Sequence, residues 1–163
     1  MSGTEVVVEN IKSLLESEET IGKHKFKYIQ LNGHTESDLA ILNETNSVLF
    51  AGDLVFNNRT LTTPHAIPED WFESLNTLAG LDYNVLVPGH GEVTEDQKPI
   101  EQTRAYLAWL EETIQGAVEQ GLDMTEVLAL PIPEQFKHFG VLHREYARSV
   151  THRYPIYEKL IFN

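Results

Sequence analysis

Three short phrases place residues that can bind a metal ion beside glycines and directly after apolar runs. They are Gly33-His34-Thr35, Gly52-Asp53 and Gly89-His90-Gly91. Imidazole nitrogen and carboxylate oxygen suit Zn²⁺, with Mn²⁺ or iron as alternatives. A solitary histidine is usually a surface or core residue, and an aspartate after a strand is usually a turn residue. Three such residues in order would rarely arise independently, so we take His34, Asp53 and His90 as candidate metal ligands.

Other polar residues near these phrases are weaker candidates. Asp38 follows His34 closely and could accept the free imidazole N–H, as partners of ligating histidines do, or could serve only as a turn residue. Arg59 and His65 follow Asp53 in a stretch without periodicity, 57–67, which predicts a loop near the site. They are candidate substrate contacts, and the alternative is a solvated loop. No residue is assigned a catalytic role.

The strands that must position the ligands are predicted from short apolar runs at 26–31, 39–42, 48–51 and 85–87. Gly52 is expected to turn the chain so that Asp53 sits at a strand end, and Pro88 is expected to break the last strand. Because neighbouring strands bring their ends to a common edge of a sheet, we expect the three ligands to lie together there.

Helices are predicted where apolar residues recur at helical spacing. The first is an amphipathic helix over 4–19, although Val6–Val8 could instead open a strand. The second runs from Pro68 to before Gly80, and a long third helix ends at Gly121. A short helix follows with a capping box of Asp123 and Glu126, and Pro155 stops the last helix. No repeat or linker divides the chain. We therefore expect a single domain, 1–163, with the metal motifs in 1–95 and a helical part in 96–163.

Composition excludes several classes of partner. The 163-residue chain carries a formal net charge of −13, which opposes binding to nucleic acid and to anionic membranes. It has no cysteine, so disulfides, thiolate zinc sites and a cysteine nucleophile are excluded. It also lacks a run of about 18 apolar residues and the basic and apolar regions of a signal peptide. We expect a soluble protein of the cytoplasm or periplasm that does not enter a membrane.

The same phrases carry a family resemblance. Gly33-His34-Thr35 with Asp38-Leu39, the run 48–56 (VLFAGDLVF) and Val87-Pro88-Gly89-His90-Gly91 resemble motifs of the metallo-β-lactamase superfamily. The helical tail, with 103–107 (TRAYL) and 149–155 (SVTHRYP), is similar to that of the zinc metallohydrolases of quinoprotein relay systems.

The resemblance implies an α/β fold, the αββα sandwich, with a zinc site at one edge between its two sheets. It implies that His34 binds a first metal, that Asp53 bridges two metals, and that His90 binds the second, so that a complete site holds two Zn ions. Aspartate at position 53 resembles the broader hydrolase branch that includes glyoxalase II-type thioesterases. In that branch two metals lower the pKa of a water that attacks a carbonyl or phosphoryl group of a small-molecule substrate.

One departure from the family bears on activity. The first metal motif of the family, His-x-His-x-Asp-His, should precede His34, yet the only upstream histidine is His24. The chain therefore resembles the C-terminal half of the sandwich, one mixed β-sheet with helices followed by a helical tail. We expect partial zinc binding or none in this truncated domain, and a zinc-dependent hydrolase that is inactive alone. The alternative is a non-catalytic interaction or assembly module that retains the fold.

A half-sandwich also predicts a partner. The sheet face that normally packs on a second sheet would expose an apolar surface, and monomers seldom tolerate patches beyond roughly 600 Å². We expect either a homodimer through that face or pairing with a complementing N-terminal half.

Overall fold

A five-stranded mixed sheet forms the centre of the protein, and its strands lie side by side in chain order. The computed structural model describes residues 17–162. The first four strands pair antiparallel, and the fifth pairs parallel with the fourth. The strands are β1 (Glu18–Ile21), β2 (His24–Leu31), β3 (Asp38–Asn43), β4 (Val48–Phe56) and β5 (Val85–His90).

The helices follow the sheet in the chain, with one exception. Helix α1 (Pro68–Ala79) connects β4 to β5, because a parallel pair needs a crossover connection. The remaining helices follow β5, and they are α2 (Lys98–Glu119), α3 (Met124–Leu128), a 3₁₀ turn (Glu134–Phe136) and α4 (Leu142–Phe162). None of the helices within residues 17–162 has the length and apolar character to cross a membrane.

The core lies between one face of the sheet and helices α1 and α2. Leu42, Leu49 and Leu86 are aligned across β3, β4 and β5, and all three are buried. Burying each leucine side chain contributes roughly 1.5–3 kcal/mol. Trp71 of α1 is fully buried on β4, where its indole N–H donates to the Leu54 carbonyl at 2.9 Å. The apolar stripe of α1 and the leucine row thus fix the helix against the sheet.

Most predicted elements are present. Strands β2, β3 and β4, the turn between β3 and β4, and helices α1 and α2 lie where the patterns place them. The capping box of α3 is complete: Glu126 N–H donates to the Asp123 carboxylate at 2.9 Å, and Asp123 N–H donates to the Glu126 carboxylate at 2.8 Å.

Two predicted strand ends are wrong. Asp53 lies within β4 and not at its end. Gly52, at φ 55°, forms a β-bulge, and the strand continues beyond it to Phe56. Pro88 does not break β5, which continues to His90. Proline is tolerated there because β5 is the last strand of the sheet, and beyond its pairing with β4 it forms only an isolated bridge, from Leu86 to Thr94.

Two helix predictions also need correction. Pro155 lies inside α4, which continues to Phe162. Its ring is exposed, so water can reach the carbonyl that loses its backbone donor. The helix predicted over 4–19 falls mostly outside the described residues, and its last part, Glu18 and Glu19, belongs to β1.

The other face of the sheet is apolar and carries Ile41, Phe50 and Val87 side by side across β3, β4 and β5. Leu39 and Phe50 are 37% and 42% exposed. In a two-layer packing such residues would be buried against another element.

A buried polar network joins α2 to α4. Arg153 donates its Nε to the Glu111 carboxylate at 3.0 Å, and its Nη2 donates to the other carboxylate oxygen. The Tyr157 hydroxyl donates to that second oxygen. Arg153 and Glu111 are 7% and 8% exposed, so this ion pair is largely removed from water. Breaking such a buried pair by removing one partner costs about 3–5 kcal/mol.

This network makes alkaline stability depend on Tyr157. Burial, followed by the bond to Glu111, raises the pKa of Tyr157 from 10.0 to about 12. A raised folded-state pKa contributes stability that is complete below pH 10 and is lost as the pH rises through 12. We expect the wild type to lose more unfolding free energy between pH 10 and pH 12 than Tyr157→Phe, as measured by urea titration at each pH. Their difference at pH 8 supplies the baseline, and equal losses would contradict this assignment.

Candidate metal centre

The sequence motifs meet at one edge of the sheet, which we call the motif edge: the end of β2, the start of β3 and the ends of β4 and β5. Leu31, at the end of β2, pairs with Asp38, at the start of β3. Phe56, at the end of β4, pairs with His90, at the end of β5. The antiparallel turn from β2 to β3 and the parallel pairing of β4 with β5 therefore bring the three histidine and aspartate phrases to the same edge.

Asp53 and His90 form a pair that fits a shared metal ion. The distance from His90 Nε2 to Asp53 Oδ1 is 3.6 Å, and both side chains are about two-fifths exposed (41% and 42%). Two ligands of one tetrahedral zinc, with bonds near 2.1 Å, stand about 3.4 Å apart. The separation is too long for a hydrogen bond, but it suits two metal ligands that face one cation.

His34 lies at the same edge but in a different setting. Its side chain is 18% exposed, and its ring meets the Trp71 ring edge-on with centroids 5.6 Å apart. The Phe56 ring lies 6.2 Å from the His34 ring and 5.1 Å from the His90 ring, so it contacts both histidines. Across residues 17–162, no three His, Asp or Glu side chains form a group that could hold a metal.

Asp38 acts chiefly on the turn that carries His34. Its carboxylate accepts the Thr35 N–H at 3.0 Å and the Thr35 hydroxyl at 2.9 Å. The distance from Asp38 Oδ1 to His34 Nδ1 is 3.9 Å, beyond hydrogen-bonding range. Of the two predicted roles of Asp38, the turn role therefore has the direct contacts.

The predicted loop after β4, residues 57–67, spans the motif edge, and we call it the edge loop. Asn57 N–H donates to the His90 carbonyl at 2.8 Å, and the Asn57 side chain donates to the Glu92 carbonyl at 2.7 Å. Arg59 is half-buried and forms a bridge with Gly140, whereas His65 is exposed. The two substrate-contact candidates therefore share a loop, and His65 is the more accessible of them.

Three glycines of the motifs permit close backbone approaches. A Cβ on Gly33 (φ 140°) would lie 2.6 Å from Trp71 Cβ, and one on Gly91 (φ 96°) would lie 2.8 Å from Asn57 Cβ. A Cβ on Gly89 would lie 2.6 Å from the Gly52 carbonyl and closer still to the Asp53 carboxylate. The Gly89 position therefore keeps open the space beside Asp53.

The sequence patterns do not single out Phe56 or Trp71 as site residues. Phe56 ends the apolar run 48–56, and Trp71 belongs to the predicted stripe of α1, so both patterns indicate only a place in the core. Their ring contacts with the histidines depend on the pairing of β4 with β5 and on the crossover of α1, and cannot be inferred from spacing.

A mixed sheet with helices, whose last two strands carry a histidine–aspartate pair, places the chain in the α/β class of proteins. Within that class, residues 10–90 match the family model of the metallo-beta-lactamase superfamily. Solved structures support the fold. A metallo-beta-lactamase family protein from Thermus thermophilus is 18% identical with a TM-score of 0.66, and a beta-lactamase domain protein from Burkholderia ambifaria is 18% identical with a TM-score of 0.64. The chain belongs to the metallo-beta-lactamase superfamily.

The matches also show how much of the fold the chain spans. Both structures match over 93% of this chain, but over only 50% and 48% of their own chains. A metallo-beta-lactamase from Pontibacter korlensis is 22% identical with a TM-score of 0.54, covering 59% of this chain and 47% of its own. The chain thus spans about half the length of the solved structures it matches.

The close approach at Gly89 gives a test of how tightly Gly52 and Asp53 pack against this glycine. We expect Gly89→Ala to lower the free energy of unfolding by about 1–3 kcal/mol, because the added methyl group must push aside the Gly52 carbonyl and the Asp53 carboxylate. Gly80→Ala is the matched control, since its nearest neighbours stand 3.6 Å away. Urea titration of both variants checks this, and equal effects would show that the approach is not tight.

Proposed function

We propose that this chain supplies part of the zinc centre of a metal-dependent hydrolase. Asp53 and His90 are the proposed ligands that already face one another, and His34 is the proposed third ligand from the same edge. The observation that carries the proposal is the 3.6 Å separation of the carboxylate and imidazole, in a superfamily whose members generally bind zinc.

The chain's own residues suit this role. Zinc would lower the pKa of water and polarise a substrate carbonyl or phosphoryl group. Asp53 and His90 are exposed enough for a small substrate to reach them, and the buried Phe56 ring packs near both histidines. Arg59 and His65 on the edge loop are the proposed substrate contacts. Only Asp53 and His90 face one another, and catalytic zinc typically has three protein ligands, so a shared ion would need His34 or a ligand from another polypeptide.

Zinc binding by the purified chain tests the proposed ligands. After dialysis against zinc and analysis by mass spectrometry, we expect bound zinc in the wild type and at least about tenfold weaker binding in Asp53→Asn and His90→Ala, since even outer partners of ligands matter that much. His152→Ala, an exposed position on α4, is the matched control. His34→Ala reports whether His34 joins the site. Absence of zinc in the wild type, or unchanged binding in both ligand variants, would refute the proposal.

A non-catalytic interaction module is the second candidate function. The observation that favours it is that Gly33 and Gly91 are already explained by packing against Trp71 and Asn57, so these turns need no metal to account for them. The described residues also hold no complete metal group. The zinc experiment separates the two candidates, because a module of this kind retains its fold without binding the metal.

We propose further that the apolar sheet face with Leu39, Ile41, Phe50 and Val87 packs against a second β-sheet. In the isolated chain this second sheet belongs to another copy, since a two-fold axis lets one surface patch cover itself. A complementing N-terminal half would occupy the same face and bring the missing ligands. The exposed Phe50 and Leu39 support this proposal, since burying them removes apolar surface from water.

Sedimentation equilibrium tests the association. We expect a dimer at micromolar concentrations and a monomer for Phe50→Asp, because a carboxylate buried in an apolar interface costs far more than the lost contact. Phe162→Asp is the control, as Phe162 is 65% exposed at the end of α4. A monomeric wild type, or a Phe50→Asp variant that remains dimeric, would place the contact elsewhere or exclude it.

A further inference from the structure

Four residues on one face of α4 form a polar ladder: Glu145, Ser149, Arg153 and Tyr157. They recur every four residues, so they lie one above the other along the helix. Glu145, Ser149 and Arg153 are buried, which is unusual for such side chains unless they have partners. Helix packing alone does not explain why these polar side chains are buried.

The partners of the ladder lie in the edge loop. The Thr62 hydroxyl donates to the Glu145 carboxylate at 3.3 Å, and the Thr63 hydroxyl donates to Ser149 Oγ at 2.7 Å. The Arg153 guanidinium donates to the Ala66 carbonyl at 3.3 Å. Successive turns of α4 therefore hold successive parts of the loop.

The two ends of the edge loop are bonded to the two histidine phrases. At its start, Asn57 N–H donates to the His90 carbonyl at 2.8 Å. At its end, Ile67 N–H donates to the Gly33 carbonyl, also at 2.8 Å, directly before His34. The loop thus links the His90 phrase to the His34 phrase through backbone hydrogen bonds at its two ends.

Helix α2 also binds the ladder, through Glu111. Glu111 accepts from both Arg153 and Tyr157, so the Arg153 guanidinium has acceptors on α2 and a further acceptor in the loop. Arg144 also donates to Glu145, at 2.8 Å and 3.0 Å, which compensates the charge of that buried carboxylate. Both charged members are therefore paired, as burial of charge requires.

We propose that the polar ladder of α4 is a positioning device for the motif edge: by holding the edge loop, it sets the separation between the His34 and His90 phrases. The ladder residues act through the loop and touch no substrate. This positioning role rests on the proposed metal site, but its test uses no metal. The positioning role and the metal-binding role can therefore fail independently.

Amide hydrogen exchange followed by NMR tests the ladder. In Ser149→Ala we expect the Asn57 and Ile67 amides to exchange about tenfold faster, because a lost buried hydrogen bond favours local opening by about that factor. The Leu42 amide in β3 should keep its rate. Thr151→Ala is the matched control, as it removes a hydroxyl of the same helix that bonds only to the Ala147 carbonyl at 2.8 Å on the exposed side. Ser149→Thr, which keeps the hydroxyl, should restore slow exchange.

The histidine rings provide the readout that a purely structural role would not move. In Ser149→Ala, the imidazole signals of His34 and His90 should shift, while His24, at the opposite end of β2, should not. Thr63→Val removes the same bond from the loop side and should produce the same changes, with no further effect in the double variant. Unchanged exchange at Asn57 and Ile67, a uniform rise across the sheet, or ring shifts equal to those of Thr151→Ala would overturn the proposal.

Discussion

The parallel pairing of β4 with β5, interrupted by the bulge at Gly52, is the constraint on which the motif edge depends. The pairing places Phe56 opposite His90, and the bulge shifts the register so that the Asp53 carboxylate faces the imidazole of the neighbouring strand. Without the bulge, each side chain of β4 beyond Gly52 would lie on the other face of the sheet. Gly89 completes the arrangement, because a side chain there would occupy the place of the Asp53 carboxylate.

The apolar patterns predict much of this fold because each strand and helix is decided locally. The leucine row of β3 to β5 and the stripe of α1 follow from periodicities that the sequence carries in full. The predicted strand end at Asp53, strand break at Pro88 and helix end at Pro155 are wrong because neighbouring elements decide the outcome at these positions. A bulge depends on the partner strand, an edge proline depends on which strand lies beside it, and a helical proline depends on whether water reaches the freed carbonyl.

For the candidate site, spacing predicts a shared edge but not which side chains face each other. Asp53 and His90 adjoin because their strands are neighbours, whereas β2, which leads to His34, is separated from β5 by two strands. His34 reaches the edge through its turn and packs on Trp71 and Phe56. Sequence order alone cannot distinguish these two situations, since both histidines follow an apolar run and a glycine.

The polar ladder of α4 escapes sequence-based prediction for a different physical reason. Glutamate, serine and arginine at helical spacing ordinarily indicate a solvated face, because such residues are rarely buried without partners. Here the partners are the hydroxyls and a carbonyl of a loop more than eighty residues away, together with Glu111 of α2. The ion pair itself adds little net stability once desolvation is counted, whereas its directional bonds allow few alternative positions for the loop. Such a network therefore contributes more to where the edge loop lies than to how stable the domain is.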